Sequence, residues 1–160
     1  ERDPHKNSGT KSETERSESP ERLLCLCVKR TRMGYHVVDS ETVAPADGRP
    51  CEQRRLGEAA GLSNVAINRF RAEPGEQLPL KYHSHEDQEE AFYVLSGTMH
   101  VETPEETFAV DAGDLFTVDP KSPHRAHNPA DAAADLVVLA IGAPAVAGDA
   151  VPYEETADAE

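Results

Sequence analysis

Four residues of this 160-residue chain have the types and spacing for metal chemistry: His83, His85, Glu90 and His124. Three imidazoles and one carboxylate form a borderline-hard donor set that suits a divalent first-row ion. His83 and His85 stand two apart, so in an extended strand both project to one side while Tyr82 and Ser84 face the other. Glu90 opens the next apolar run, and Phe92 and Val94 share its parity. A carboxylate heading a row of inward apolar side chains is costly to bury without a compensating charge, which a cation supplies. Glu89 is the alternative donor on the opposite parity. His124 follows the turn Asp119–Pro123 and opens another short strand. His127 has the wrong parity and is expected to point away; His100 has no evident partner and is expected at the surface.

Bringing such residues together requires strands that converge, and from Tyr35 onward the chain is punctuated like an all-β domain. Short apolar or alternating runs occupy Val65–Arg71, Pro79–His83, Ala91–Leu95, Thr98–Glu102, Thr107–Val110, Leu115–Val118 and Leu136–Ile141. Turn signals separate them: Glu73-Pro74-Gly75, Ser96-Gly97, Thr103-Pro104, Asp111-Ala112-Gly113 and Asp119-Pro120. Many short strands at regular spacing predict a sandwich or barrel. Only Glu52–Leu62 has helical character, weakened by Gly57 and Gly61. Inward parity assigns Phe92, Val94, Met99, Val101, Phe116 and Val118 to the interior.

Residues 1–22 have almost no apolar side chains and are expected to be disordered. The composition changes at Met33, which is the candidate biological start; residues 1–32 then form an extension, residues 33–141 the barrel, and residues 142–160 an acidic, Ala/Gly/Pro-rich loose tail. Residues 1–32 carry a net charge of +2 and residues 33–160 a net of −16, for −14 overall. A surface so acidic repels nucleic-acid phosphates and anionic membranes, so neither is an expected partner. It fits a protein kept soluble in high salt, a halophilic trait. Three cysteines, Cys25, Cys27 and Cys51, are too few and too clustered for a disulfide framework, and point to a reducing, cytoplasmic compartment. No apolar run approaches the roughly 18 residues of a spanning helix.

The residues from Gly75 to Asn128 resemble the two motifs of the cupin superfamily. The first runs Gly75, then His83-Ser84-His85, four residues, Glu90, six residues and Gly97. Seven residues rather than five separate Gly75 from His83, a difference of two that preserves strand parity. The second runs Gly113, ten residues, His124, three residues and Asn128. Within it Asp119 and Lys121 stand at the family's proline and glycine positions, and Lys tolerates a left-handed backbone less well than Gly. The resemblance covers roughly residues 66–141. It implies an all-β double-stranded β-helix, or jelly-roll barrel, with one divalent ion (Fe, Mn, Ni or Zn) in its mouth on His83, His85, Glu90 and His124. Tyr82, Phe92, Lys121 and Arg125 are the expected contacts to a small-molecule ligand. The implied function is an oxygenase, isomerase or lyase acting on a small polar metabolite, or alternatively a non-catalytic small-molecule binder or sensor. The resemblance also implies a homodimer, with Val65–Arg71 contributing.

Overall fold

The computed structural model describes residues 28–31 and 34–154. The expected extension up to residue 27, with Cys25 and Cys27, the candidate start Met33, and tail residues 155–160 lie outside the described residues.

Alternation of apolar and polar side chains organises the strands. In Leu136–Ala143, Leu136, Val138, Ala140 and Gly142 are buried while the residues between them stay half-exposed. In Glu89–Ser96, Phe92 and Val94 are buried and Tyr93 and Leu95 exposed. In chain order the strands are β1 (Val28–Thr31), β2 (Tyr35–Val38), β3 (Glu52–Arg55), β4 (Ala66–Ala72), β5 (His83–His85), β6 (Glu89–Ser96), β7 (Thr98–Glu102), β8 (Thr107–Asp111), β9 (Leu115–Val118), β10 (Arg125–His127), β11 (Leu136–Ala143) and β12 (Ala150–Pro152). Among the described residues the α-helix α1 (Leu56–Ala60) lies against β4, and a short 3-10 turn spans Ser40–Thr42.

Two layers result. One is the five-stranded sheet β3-β4-β11-β6-β9. The other combines the sheets β10-β7-β8 and β12-β5, joined by antiparallel bridges between Gln77 and His127 and between His83 and His124. Every strand pair is antiparallel. Between the layers, Phe70, Val94, Met99, Val101, Val110, Leu136 and Val138 form one continuous buried core. The fold is the jelly-roll barrel that the resemblance implied, within the sandwich-or-barrel class expected from the spacing of strands and turns.

Three segments differ from their sequence reading. Glu52–Arg55, expected as the start of a helix, is an edge strand paired with β4. Its run Glu-Gln-Arg-Arg has no apolar alternation to advertise it. The strand is held instead by Arg54, whose Nη1 donates to the carbonyls of Ser40, Glu41 and Val43 at 3.2, 2.7 and 3.0 Å. The expected strand Pro79–His83 is irregular up to Tyr82, and regular pairing begins only at His83. Residues 142–154, expected as loose tail, instead complete β11 and supply β12, which pairs with β5 through Ala150–His85, Val151–Ser84 and Pro152–His83.

Gly57 sets how closely α1 approaches β4. A Cβ there would lie 2.8 Å from the Ile67 backbone nitrogen and 3.3 Å from the Val65 carbonyl oxygen. Helix propensity alone favours Ala over Gly by about 1 kcal/mol. Overpacking against backbone costs about 1–3 kcal/mol and outweighs it. Gly57→Ala is therefore expected to lower the urea midpoint of unfolding; an unchanged or raised midpoint would refute this account of the helix seat.

Candidate metal centre

His83 and His124 sit opposite one another and exchange both backbone hydrogen bonds, His83 N–H to His124 O at 3.2 Å and His124 N–H to His83 O at 2.8 Å. That exchange places their side chains abreast, with ring centroids 4.8 Å apart. His85 lies two residues along β5 on the same side, its ring centroid 4.9 Å from that of His83. All three imidazoles thus come from one layer. Glu90 comes from the other, where it stands opposite Gly142 of β11 and Val118 of β9. Donor atoms of His83, His85 and Glu90 lie within 4.8 Å of one another. His124 meets this triad at Glu90, with Nε2 2.9 Å from Oε2. Glu89, the alternative donor, is exposed on the outer face.

Each ring is turned by an oxygen behind it. His83 Nδ1 lies 3.0 Å from the Lys81 carbonyl and His124 Nδ1 3.1 Å from the Ser122 carbonyl. His85 Nδ1 faces Asp149 Oδ2 at 3.3 Å. An Nδ1–H directed at such an oxygen leaves the Nε2 lone pair facing inward, the arrangement found behind metal-bound imidazoles. At the centre the Nε2 atoms of His83 and His85 are 3.2 Å apart, and His85 Nε2 is 3.4 Å from Glu90 Oε2. Glu90 Oε2 and His124 Nε2 are buried, and neither has a partner in hydrogen-bonding geometry. Buried polar atoms without partners cost about 1–3 kcal/mol each. A cation among these acceptors would satisfy them together, so the residues present fit a divalent metal.

The electrostatics favour the same form. Burial, helped by the charge of His124, lowers His83 to about 4, so its imidazole is neutral at neutral pH. Burial alone would raise Glu90, yet the neighbouring His124 and His85 hold it down at about 2, an ionised carboxylate. Glu90 in turn raises His85, against the effect of burial.

Beside the donors opens a cavity of about 400 Å³. Phe92 lines it and packs edge-on against the His124 ring, with centroids 5.8 Å apart. Much of the wall is small, comprising Ala66, Ala126, Ala140, Gly142 and Ala150. The other expected ligand contacts face elsewhere. Tyr82 packs against Tyr153, centroids 5.0 Å apart, and beneath the Arg125 guanidinium. Arg125 is bound to Glu102, and Lys121 points out to Glu86 at 3.9 Å. Opposite parity governs these placements: Arg125 neighbours His124, and Tyr82 neighbours His83. His127 points away from the centre as expected. It faces His100 with ring centroids 5.8 Å apart, so the partner His100 lacked in sequence lies across the β7–β10 pair.

Two residues at the site escaped sequence reading. Asp149, in the supposed tail, is buried and accepts from the backbone N–H groups of Asp87 and Gln88 at 3.1 and 3.0 Å. A single acid among many offers no signal until the β5–β12 pairing places it behind His85. Arg49 lines the cavity from a stretch with no strand or helix pattern. Lys121, at the family's turn-glycine position, has φ of 67° and is the only non-glycine with positive φ among the described residues. Its N–H donates to His85 O at 2.6 Å, which holds a backbone that costs about 1–2 kcal/mol for an L residue.

Residues 68–141 match the family model of the cupin domain. The barrel is a cupin domain. Solved structures resembling this cupin include a putative sugar phosphate isomerase from Acidithiobacillus ferrooxidans, 32% identical, covering 58% of each chain with a TM-score of 0.53. A cupin sugar phosphate isomerase from Silicibacter pomeroyi is 29% identical, covers 59% of each chain and has a TM-score of 0.52. The chain therefore spans somewhat more than half the length of either. A polyketide cyclase from Streptomyces resistomycificus, 20% identical over 76% of this chain and 87% of its own, shares the fold with a TM-score of 0.61. Among curated proteins none matches the chain. No helix among the described residues is long and apolar enough to cross a membrane.

The His83 imidazole gives the metal-free cupin a signed pH dependence. The unfolded chain takes up this proton near pH 6.5 and the folded chain only near 4, so stability falls as pH drops between those values. Glu90 adds to the loss below its ordinary value of 4.5, whereas His85, shifted upward, opposes it. In chelator-treated protein, His83→Asn should therefore lose less stability than wild type between pH 6.5 and pH 4.5, measured as the change in urea midpoint. Equal losses would contradict the assignment of a desolvated, neutral His83.

Proposed function

We propose that this cupin is a metal-dependent enzyme. One divalent ion, Fe, Mn, Ni or Zn, is held by His83, His85, Glu90 and His124, and a small polar metabolite binds in the adjoining cavity. The observation that carries this reading is the convergence of buried donor atoms that lack partners of their own, behind rings whose outer nitrogens already face oxygens. A bound ion with an open position acts as a Lewis acid on a substrate oxygen. The chain's own groups prepare the place: Glu90 offsets the cation's charge, Lys81 and Ser122 orient two imidazoles through their carbonyls, and Phe92 shields His124 from water. Among oxygenase, isomerase and lyase activities, isomerisation takes support from the two similar cupins named as sugar phosphate isomerases.

A second reading, a binding module without turnover, is favoured by one feature of the lining. Among the described residues, the only titratable side chains on the cavity wall apart from the four donors are Arg49 and Lys81. Few groups are thus available for a separate proton transfer. Measured turnover of a bound metabolite by the metal-loaded protein decides between the two readings.

The cytoplasmic placement rests on thiol usage. Cys51 is a buried free thiol, pushed up to about 12 by burial first and the charge of Glu76 second, which disfavours the thiolate that disulfide exchange requires. The acidic surface disfavours nucleic acid. A homodimer is supported by the outer face of the five-stranded sheet, where Leu139, Tyr93 and Leu115 form a row across β11, β6 and β9. Tyr93 and Leu115 are 40% and 59% exposed, and an apolar row of this kind marks an interface.

Elemental analysis of protein purified from its own host should find about one equivalent of metal. The content should fall sharply in His85→Ala and Glu90→Gln, and unchanged content in both variants would sink the site. Asp149→Asn should weaken metal binding about 10- to 100-fold in chelator competition through its loss behind His85. On the assembly, sedimentation should show a dimer that Leu139→Glu converts to a monomer; a wild-type monomer would remove the sheet-face interface.

A further inference from the structure

The acidic domain leaves few cations free, and where they stand is informative. Eight lysines and arginines have described side chains, and six of them have an acidic partner. Arg54 pairs with Glu52 at 2.8 Å, Arg55 with Glu58 at 3.4 Å, Arg69 with Glu41 at 2.9 Å and Arg71 with Asp135 at 2.7 Å. Lys121 pairs with Glu86 at 3.9 Å, and Arg125 is bound to Glu102. Arg49 and Lys81 alone among these eight have no carboxylate within ion-pair distance, and both line the cavity beside the histidines. With three times as many acids as bases in residues 33–160, a cation without an acidic neighbour is a departure from the local composition.

The surroundings of Arg49 make the same point. Its Nε is buried without a hydrogen-bond partner, and so is Oε1 of Gln53, a 5%-exposed residue on the same wall. A guanidinium remains charged in a protein and presents a planar fork of donors matched to a carboxylate or a phosphate. Leaving its Nε buried and unused costs stability unless a ligand completes it. Lys81 adds a second positive charge from an exposed position on the cavity wall, while its carbonyl holds His83.

We propose that Arg49 and Lys81 form an oxyanion subsite, so that the ligand of this cavity is a small organic anion carrying a carboxylate or a phosphate. Gln53 adds a polar contact on the same wall. The inference rests on the cavity being the ligand site, as proposed above, but it does not require the metal. About 400 Å³ lies near the lower end of small-molecule sites, so the anionic group belongs to a compact metabolite. The negative surface outside the cavity repels such a ligand except where these two cations face it.

The test uses the full chain freed of metal by chelation, so that the subsite is read independently of the donor cluster. Inorganic phosphate and acetate are titrated calorimetrically, with ionic strength held constant by chloride. Wild type should bind at least one of the two, and whichever binds more tightly assigns the anionic group. Arg49→Gln should weaken that binding about tenfold or more, as expected for loss of a charge-assisted donor pair. Lys81→Gln should weaken it severalfold, whereas Arg71→Gln, outside the cavity and paired with Asp135, should leave it unchanged. Arg49→Lys, which keeps charge but loses the fork, should recover only part of the affinity. Binding of neither anion by folded wild type would overturn the subsite. So would equal losses in Arg49→Gln and Arg71→Gln, which would reveal general charge attraction. Absence of metal from the native protein would defeat the metal reading and leave these outcomes intact.

Discussion

Two backbone hydrogen bonds between His83 and His124 close the gap between segments forty residues apart and set the geometry of the open end of the barrel. Because the two residues face each other directly, their side chains emerge on the same side of the layer, and strand periodicity then delivers His85 to the same point. A slip of one residue in β5 would turn both of its histidines outward and leave His124 alone at the centre. The neighbouring β5–β12 pairing and the Lys121 N–H to His85 O bond secure this register from both sides. Glu90, opposite Gly142 and Val118 in the other sheet, reaches across to the same point. The donor cluster is therefore a property of how two layers face one another.

The barrel divides its work along its length. Val94, Met99, Val101, Leu136 and Val138 fill one region with fully buried apolar side chains. The remainder is left open around polar donors that have few partners of their own. Charged side chains follow the same division: on the surface, arginines pair with the surplus of carboxylates, whereas the cavity wall holds Arg49 and Lys81 without such partners. An unpaired polar group is costly in a protein interior, so concentrating these groups at one end confines that cost to the region facing a ligand.

Much of this was legible in the sequence because its determinants are local. The pairs His83/His85 and Glu90/Phe92 obey a two-residue period, and Ser96-Gly97 and Asp111-Ala112-Gly113 announce the turns that return the chain. Parity also separated His127 from His124. What escaped was carried by tertiary contacts. β3 is a strand because it pairs with β4, with Arg54 tying it to the carbonyls of Ser40, Glu41 and Val43, and not because its side chains alternate. Asp149 matters because β12 returns to β5, and nothing in an Ala/Gly/acid-rich stretch marks that return. Arg125 and Lys121 were drawn toward the ligand by their nearness to His124 in sequence, yet strand parity and a left-handed turn direct them to Glu102 and Glu86. Arg49 was invisible for the converse reason, lying far from the motif in sequence and on the cavity wall in space.

The small side chains of the cavity wall have a consequence for how such a domain diversifies. Ala66, Ala126, Ala140 and Ala150 contribute to the wall without providing a polar or charged side chain. Each lines the cavity, where a larger side chain would narrow the space open to a ligand. Ligand preference is thus adjustable by steps of about one methylene, each worth about 1–3 kcal/mol in discrimination between substrates. The imidazole–carboxylate cluster need not change while this happens. A single scaffold of this kind can hold its chemistry constant and re-cut the shape of what it admits.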